Sequence, residues 1–255
     1  VGDVAGASVG ADVYAEQIAT ASLIVDGDVT AGEMGLLLNA YDTPSIDVCV
    51  AGTVSGDGAG VALYNLSQGS YEDVTLTVWE IVPNEDGYVA GDVAIDYDYG
   101  TGSPVFSYEQ NEDFEAGIRY IIKVEQPETG AVLSVADAVG EALAQSHGYE
   151  YALEGDTVLL KVDLEEGYLL SGAFNGDGEK VALQQDDDGN WYVVVPKGGG
   201  VYLSVEVEKE SYQVTFVDDE GTELQSSLVE YGETPVYEGS EPTKDATDKY
   251  EYTFA

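Results

Sequence analysis

Apolar residues alternate with Asp, Thr, Ser and Ala through the first third of the chain, as in Ile46-Asp47-Val48-Cys49-Val50. A period of two is the signature of a strand with one buried face. The alternation also repeats. Sliding the sequence against itself in steps of about 25 residues, a spacing typical of stacked repeats, puts Gly2, Gly27 and Gly52 in one column and Val4, Val29 and Val54 in another. Gly10, Gly35 and Gly60 follow, then Val13, Leu38 and Leu63, while Leu23 and Val25 fall over Val48 and Val50. Like residues at a fixed spacing imply turns of chain stacked one above the next, and only stacking buries the Val and Leu columns. About three such turns are predicted over 1–82. Gly27, Gly32, Gly35, Gly52, Gly56, Gly58 and Gly60 are expected at corners where φ is positive. Cys49 falls in the alternate row with Ile24 and Thr75 and is expected outside the stacked core, under a neighbouring segment.

The register fades after Tyr71. Asp73-Val74-Thr75-Leu76-Thr77-Val78-Trp79 reads as a last strand of the series before a turn at Pro83-Asn84-Glu85-Asp86-Gly87. The repeat resembles a right-handed β-solenoid. From Tyr88 to Glu208 short strands are predicted at 119–124, 157–162, 168–174, 191–195 and 201–207. Asn175-Gly176-Asp177-Gly178 and Asp186-Asp187-Asp188-Gly189-Asn190 punctuate them. A β-sandwich-like module over 83–209 fits this pattern. One short helix is expected at 135–144, where Val135, Val139, Ala142 and Leu143 share a side and Ser134 stands at the cap. Pro196-Lys197-Gly198-Gly199-Gly200 lacks the spaced glycines and following helix of a phosphate loop and reads as a hairpin turn. The fold class is therefore mainly all-β.

Gly155-Asp156-Thr157-Val158-Leu159-Leu160-Lys161-Val162, followed by Glu166-Gly167-Tyr168, resembles a strand pair common in repeat modules of bacterial surface proteins. A longer resemblance lies at the C-terminus. Tyr212-Gln213-Val214-Thr215-Phe216, Asp218-Asp219-Glu220-Gly221-Thr222-Glu223-Leu224, Val229-Glu230-Tyr231-Gly232, Pro235, Pro242-Thr243-Lys244 and Tyr250-Glu251-Tyr252-Thr253-Phe254 are similar to the internalin B-type repeat. That family forms small β-grasp-like modules along Gram-positive surface proteins. The sequence stops at Ala255, before the Gly-Trp and last strands of such repeats, so 210–255 is expected to be a partial module. The resemblance brings no catalytic residues. It implies a tandem, extracellular, cell-wall or cell-surface setting.

Charge narrows the partners. Lys and Arg number 8 against 50 Asp and Glu, for a formal charge of −42, and Arg119 is the one arginine. Nucleic acid and anionic lipid are disfavoured, since both are held by cationic side chains. The acids are interleaved with Val, Ile, Leu and Tyr, the pattern of solvated strand faces and not of a disordered tail. Cys49 stands alone, so no internal disulfide forms. No run approaches the ~18–20 apolar residues of a membrane helix, and neither a signal peptide nor a sorting tail is visible. A start at Val1 and a stop inside an apparent strand at Phe254-Ala255 suggest a segment of a longer polypeptide.

Candidate chemistry is sparse. His147, the one histidine, has no nucleophile motif to serve, and with Cys49 it falls short of a zinc set. Solenoids host polysaccharide lyases and hydrolases, so a carbohydrate-active enzyme with accessory modules is the rival reading. Residues 1–79, however, hold no Lys or Arg for a polyuronate. A hydrolase would draw on Asp26, Asp28, Asp42, Asp47 and Asp57. Calcium is the one cofactor considered, with Asp186, Asp188 and Asn190 as its ligands, ahead of Asp96-Tyr97-Asp98-Tyr99-Gly100 and Asp218-Asp219-Glu220-Gly221. Lys123 and Lys161 are the strand-borne lysines an intramolecular isopeptide bond would use. The 19 tyrosines offer stacking surface to a host glycan or protein. The expected role is adhesion or display without catalysis; a purely structural stalk is the third reading.

Overall fold

The computed structural model describes residues 1–16, 20–41, 45–64, 73–240 and 248–249. The protein is mostly β-structure, arranged in several sheets, none of them closed among the described residues. Two compact units are present: Val1–Gln126 with Leu133–Val162 and Ala173–Val205, and Pro127–Val132 with Asp163–Gly172 and Glu206–Ala255.

The first unit begins with β1 (Val4–Gly6), β2 (Val9–Glu16), β3 (Thr20–Val25), β4 (Val29–Ala31), β5 (Met34–Tyr41), β6 (Ser45–Gly56) and β7 (Ala59–Tyr64). Pairing among these strands is parallel throughout, and every partner lies one full repeat further along the chain. Val4 pairs with Val29 and Val29 with Val54. Val13 pairs with Leu38 and Leu38 with Leu63, and Leu23 pairs with Val48. The inward side chains Val25, Val29, Leu36, Leu38, Val48, Val50, Val54 and Val61 are fully buried, each stabilising the fold by roughly 1.5–3 kcal/mol relative to exposure. The offset lengthens at β8 (Val74–Ile81) and β9 (Ala90–Asp98). Val48 meets Leu76, Val61 meets Ala90, and a bulge follows Val50. Cys49 therefore lies opposite Thr77, and Thr75, expected in its row, pairs with Asp47 instead.

The aligned glycines correct the expectation of positive φ. None of the seven adopts it; the backbone glycines that do begin at Gly87. Their role is close approach. A Cβ on Gly35 would lie 2.7 Å from the Ser55 carbonyl and 2.8 Å from that of Gly60, and one on Gly10 would lie 2.5 Å from the Gly35 carbonyl. The Gly2 column has a further use. Asp3 Oδ1 accepts from Asp28 N at 3.0 Å, and Asp28 Oδ1 accepts from Thr53 N at 2.7 Å. A side chain on Gly27 or Gly52 would strike these carboxylates. Each carboxylate thus bonds the strand entry of the next repeat through space that glycine leaves open.

Further strands extend the stack. β9 pairs antiparallel with β10 (Ser103–Gln110). After the single-turn helix α1 (Glu112–Glu115), β11 (Arg119–Ile121) lies parallel to β8. Next come β12 (Lys123–Val124), β13 (Ala131–Ala136), β14 (Gln145–Ser146) and β15 (Tyr149–Ala152), with β15 antiparallel to both β11 and β14. The β14–β15 hairpin covers the outer side of β6 and β8: Thr77 Oγ1 donates to Ser146 Oγ at 3.0 Å. Cys49, opposite Thr77, is fully buried on that side.

The helix expected at 135–144 does not form. β13 occupies Ala131–Ala136 with alternating burial, and the chain then turns at Asp137. Asp137 Oδ1 accepts from Val139 N and Glu141 N, both at 2.9 Å, and Gly140 takes φ +87°. An aspartate whose side chain captures its own backbone amides competes directly with helix hydrogen bonding. The remaining strands are β16 (Thr157–Leu164), β17 (Tyr168–Asn175), β18 (Val181–Ala182), β19 (Gln184–Gln185), β20 (Trp191–Val194) and β21 (Tyr202–Lys209). They complete two four-stranded sheets, β13-β16-β20-β19 and β12-β21-β17-β18.

The Gly198–Gly200 segment is likewise no hairpin turn, because β20 and β21 belong to different sheets. All three glycines have positive φ, and they dock on the end of β8: Ile81 N donates to Gly198 O at 2.7 Å and Gly200 N to Trp79 O at 3.0 Å. In the second unit, β22 (Ser211–Val217) and β23 (Glu223–Glu230) form a two-stranded antiparallel sheet. Phe216 packs on Tyr237, and Gln225 bonds the backbone of Val236 and Glu238. Pro242-Thr243-Lys244 and Tyr250–Phe254 of the repeat resemblance lie outside the described residues.

Candidate functional site

The outer face of the sheet β10-β9-β7-β5-β2 carries a second hydrophobic cluster. Met34, Leu37, Ala62 and Val93 are buried there, with Val9, Tyr64, Phe106 and Tyr108 packed against them. The β9–β10 hairpin supplies Val93, Phe106 and Tyr108. Tyr108 lies so close to Gly58 that a Cβ there would stand 2.5 Å from the ring. Burial, then the nearby Glu33 charge, pushes the Tyr108 hydroxyl up to about 12.

Beyond this cluster the hairpin runs out into solvent without losing its pattern. Val93, Ile95 and Tyr97 share one face by alternation and oppose Tyr108, Phe106 and Pro104. Ile95, Tyr97 and Pro104 are exposed, and Tyr99 at the tip is 91% exposed. Tyr97 and Tyr99 meet edge to face, 5.2 Å between centroids. The tip is held by Asp98, which accepts from Gly100 N at 2.7 Å and Thr101 Oγ1 at 2.8 Å; these bonds, the Gly100 amide foremost, keep its carboxyl below the usual range. Tyr97 Oη donates to Gly102 O at 3.0 Å. The other face bears Asp92, Asp96 and Glu109 beside Val105. The result is a continuous apolar strip, anchored at one end and free at the other.

Glu115 secures the hairpin's base. Its buried carboxylate accepts from Val89 N at 2.8 Å, Ala90 N at 3.0 Å, Gln110 Nε2 at 3.1 Å and Lys197 Nζ at 3.1 Å. Burial alone would raise its pKa, but these donors together hold it below the ordinary glutamate value. Lys197, in the segment that resembles a phosphate loop only by its glycines, is thus a structural cation.

The acidic loops share one construction. Asp186 Oδ1 accepts from Asp188 N at 3.0 Å and Asn190 N at 2.8 Å, and its Oδ2 accepts from Asn190 Nδ2 at 2.9 Å. Asp218 bonds Glu220 N and Thr222 N in the same way, as Asn84 bonds Asp86 N and Tyr88 N. With Asp137 this makes four loops of the form Asp/Asn-x-x-Gly, whose glycines Gly87, Gly140, Gly189 and Gly221 all have φ between +83° and +89°. The structure therefore brings Asp186, Asp188 and Asn190 into one loop, where both Asp186 oxygens are engaged by the loop's own donors. Among the described residues no group of three or more His, Cys, Asp and Glu side chains is gathered around a common point.

His147 Nε2 lies 3.0 Å from the Asp47 carboxylate, and the residue sits at φ +52° in the β14–β15 turn. Burial, then the charges of Asp47 and Asp26, pushes the Cys49 thiol up to about 11, the environment of an unreactive cysteine. Lys123 lies 3.7 Å from the centre of the Trp79 ring and Lys161 donates to Gly140 O. A shallow cavity of about 510 Å³ is bordered by Asp137, Val139, Leu143, Tyr151, Leu153 and Asp156. Its two aspartates are held by backbone amides, Asp156 by Leu153 N at 2.9 Å.

Sequence reasoning assigned tyrosines to binding only in general and missed Ile95, Tyr97, Tyr99 and Pro104 as a face. The available signal was the strict alternation Val93-Ala94-Ile95-Asp96-Tyr97-Asp98-Tyr99, continuing past the point where a half-buried strand needs it. No family model matches the chain, and neither a curated protein nor a solved structure matches it.

Proposed function

We propose that the chain is a non-catalytic binding segment of a bacterial surface protein, displayed outside the cell or on its wall, and that it acts in adhesion. The observation that carries this reading is the exposed Ile95-Tyr97-Tyr99-Pro104 face, because large apolar side chains presented together on a rigid scaffold are a mark of interaction surfaces. The scaffold is a short β-solenoid, supported by parallel pairing at a constant offset of one repeat. The β-sandwich-like module draws support from the two four-stranded sheets. The partial β-grasp-like repeat draws it from the β22–β23 hairpin and from the resemblance to the internalin B-type repeat. At the cavity Asp137 and Asp156 each accept from backbone amides of their own turns, which supports a structural part for these two carboxylates.

The test applies the labelled protein to immobilised glycans and extracellular proteins, alongside a Y97S/Y99S variant, and incubates both with polysaccharides while assaying new reducing ends and unsaturated uronates. Capture of the wild type, weakened several-fold in the variant, with no new ends or unsaturation, is the expected result. Cleavage of a polysaccharide would overturn the non-catalytic reading, and equal capture of both forms would remove the hairpin from it.

A further inference from the structure

We infer that the Ile95-Tyr97-Tyr99-Pro104 face docks an arginine-rich segment of a partner protein; the inference rests on the binding role proposed above and names the ligand chemistry. Three observations lead to it. The face offers two exposed tyrosine rings in edge-to-face contact. A guanidinium is the cation best suited to such rings, since it is planar, weakly hydrated and able to stack.

Charge complementarity selects the sign. The chain preceding Arg119 contains 21 Asp and Glu and no Lys or Arg. Asp92, Asp96 and Glu109 occupy the reverse of the same hairpin, and Asp98 sits at its tip. These carboxylates share the two-stranded ribbon with the rings and add to the negative field on the aromatic side, a contribution that salt screens over a Debye length of ~8 Å. A partner carrying several guanidiniums gains attraction from all of them. An anionic glycan is repelled, a neutral glycan uses the rings but none of the field, and a second copy brings a further charge of −42.

The third observation is preorganisation. Asp98 and the Tyr97–Gly102 hydrogen bond fix the tip, and Val93, Phe106 and Tyr108 fix the base in the second cluster. Binding therefore requires little ordering of the protein.

The probe is a fluorescein-labelled peptide of six Arg-Ser repeats, followed by anisotropy at low and moderate NaCl and compared with Lys-Ser and Glu-Ser peptides of equal length and with chitohexaose. Variants are Y97S/Y99S, Y97F/Y99F and D92N/D96N/E109Q, each checked for a native thermal midpoint. The Arg-Ser peptide is expected to bind most tightly and the Lys-Ser peptide several-fold less. Added salt and D92N/D96N/E109Q should weaken binding, Y97S/Y99S should weaken it about tenfold, and Y97F/Y99F should retain it. Undiminished Arg-Ser binding by Y97S/Y99S would overturn the inference by assigning attraction to diffuse charge. Chitohexaose binding that depends on the tyrosines, without Arg-Ser binding, would overturn it while preserving the binding role of the hairpin. Self-association abolished by Y97S/Y99S, without Arg-Ser binding, would do the same. A Y97S/Y99S variant indistinguishable from wild type toward every probe, including those of the preceding test, would overturn both.

Discussion

A single methyl group distinguishes the glycines of the stack from one another. At Gly35 it would press on two carbonyl oxygens from the next repeat, whereas at Gly2 nothing lies within 4 Å. Gly35→Ala is therefore expected to lower stability by about 1–3 kcal/mol and Gly2→Ala to leave it unchanged, as urea unfolding followed by tryptophan fluorescence will report. Glu115 makes a pH-dependent prediction. Its folded pKa is depressed, so its contribution is complete above the ordinary glutamate value near 4.5 and is lost as pH falls through the lower folded value. The stability difference between wild type and Glu115→Gln should be constant near neutrality and shrink on acidification below about pH 4.5. A difference that grows in acid would mean that the carboxylate is not the stabilising form. The glycine columns and their period were legible in the sequence. Their cause was not, because the atoms that exclude a Cβ belong to a strand one repeat away, and spacing cannot distinguish crowding from a left-handed backbone.

Loops carry the corresponding lesson for elements. The stretch 135–144 has helical spacing of apolar residues, yet Asp137 and Gly140 place it in the same Asp/Asn-x-x-Gly construction found after Asn84, Asp186 and Asp218. The spacing occurs seven times in the sequence, also at Asp3, Asp57 and Asn175, so it does not by itself mark this turn; its precedence over amphipathic spacing depends on which hydrogen bonds win locally. The same limit applies to Gly198–Gly200, whose conformation is set by the end of β8. Two glycines with nearly equal φ separate backbone strain from crowding. Gly189 has +83° with open space around it, and Gly199 has +84° with the Trp79 carbonyl 2.5 Å from a would-be Cβ. Gly189→Ala should cost about 1–2 kcal/mol, the left-handed penalty alone. Gly199→Ala should cost clearly more and lower the thermal midpoint further; equal losses would show that the loop yields.

Over the whole molecule, 50 acidic residues against 8 basic ones produce self-repulsion that salt screens. Raising NaCl from about 20 mM to about 300 mM, which shortens the Debye length severalfold, should raise the thermal midpoint. Calcium and magnesium at equal ionic strength should raise it alike, because the Asp186 loop already satisfies its carboxylate internally. A rise specific to calcium would instead show that the folded state binds it, and its loss in Asp186→Asn would assign the site to the loop of Asp186, Asp188 and Asn190. Acidity was fully legible from composition, and it frames the choice of partner charge. The aromatic strip emerged only once β10 was seen to bring Pro104 and Phe106 alongside Tyr97 and Ile95.

The constant offset between paired strands also bears on how such a protein changes length over evolutionary time. Duplicating the codons for 27–51 would return the chain to the same column at Gly27 and Asp28, so every inward side chain would again meet an inward side chain. A duplication one residue shorter or longer would present aspartate to the core and leucine to water wherever no turn or bulge absorbed the difference, as the longer offset to β8 is absorbed. Unequal crossing-over in this region should therefore survive in whole periods, and related chains should differ in reach by integral numbers of turns while the β9–β10 hairpin keeps its form.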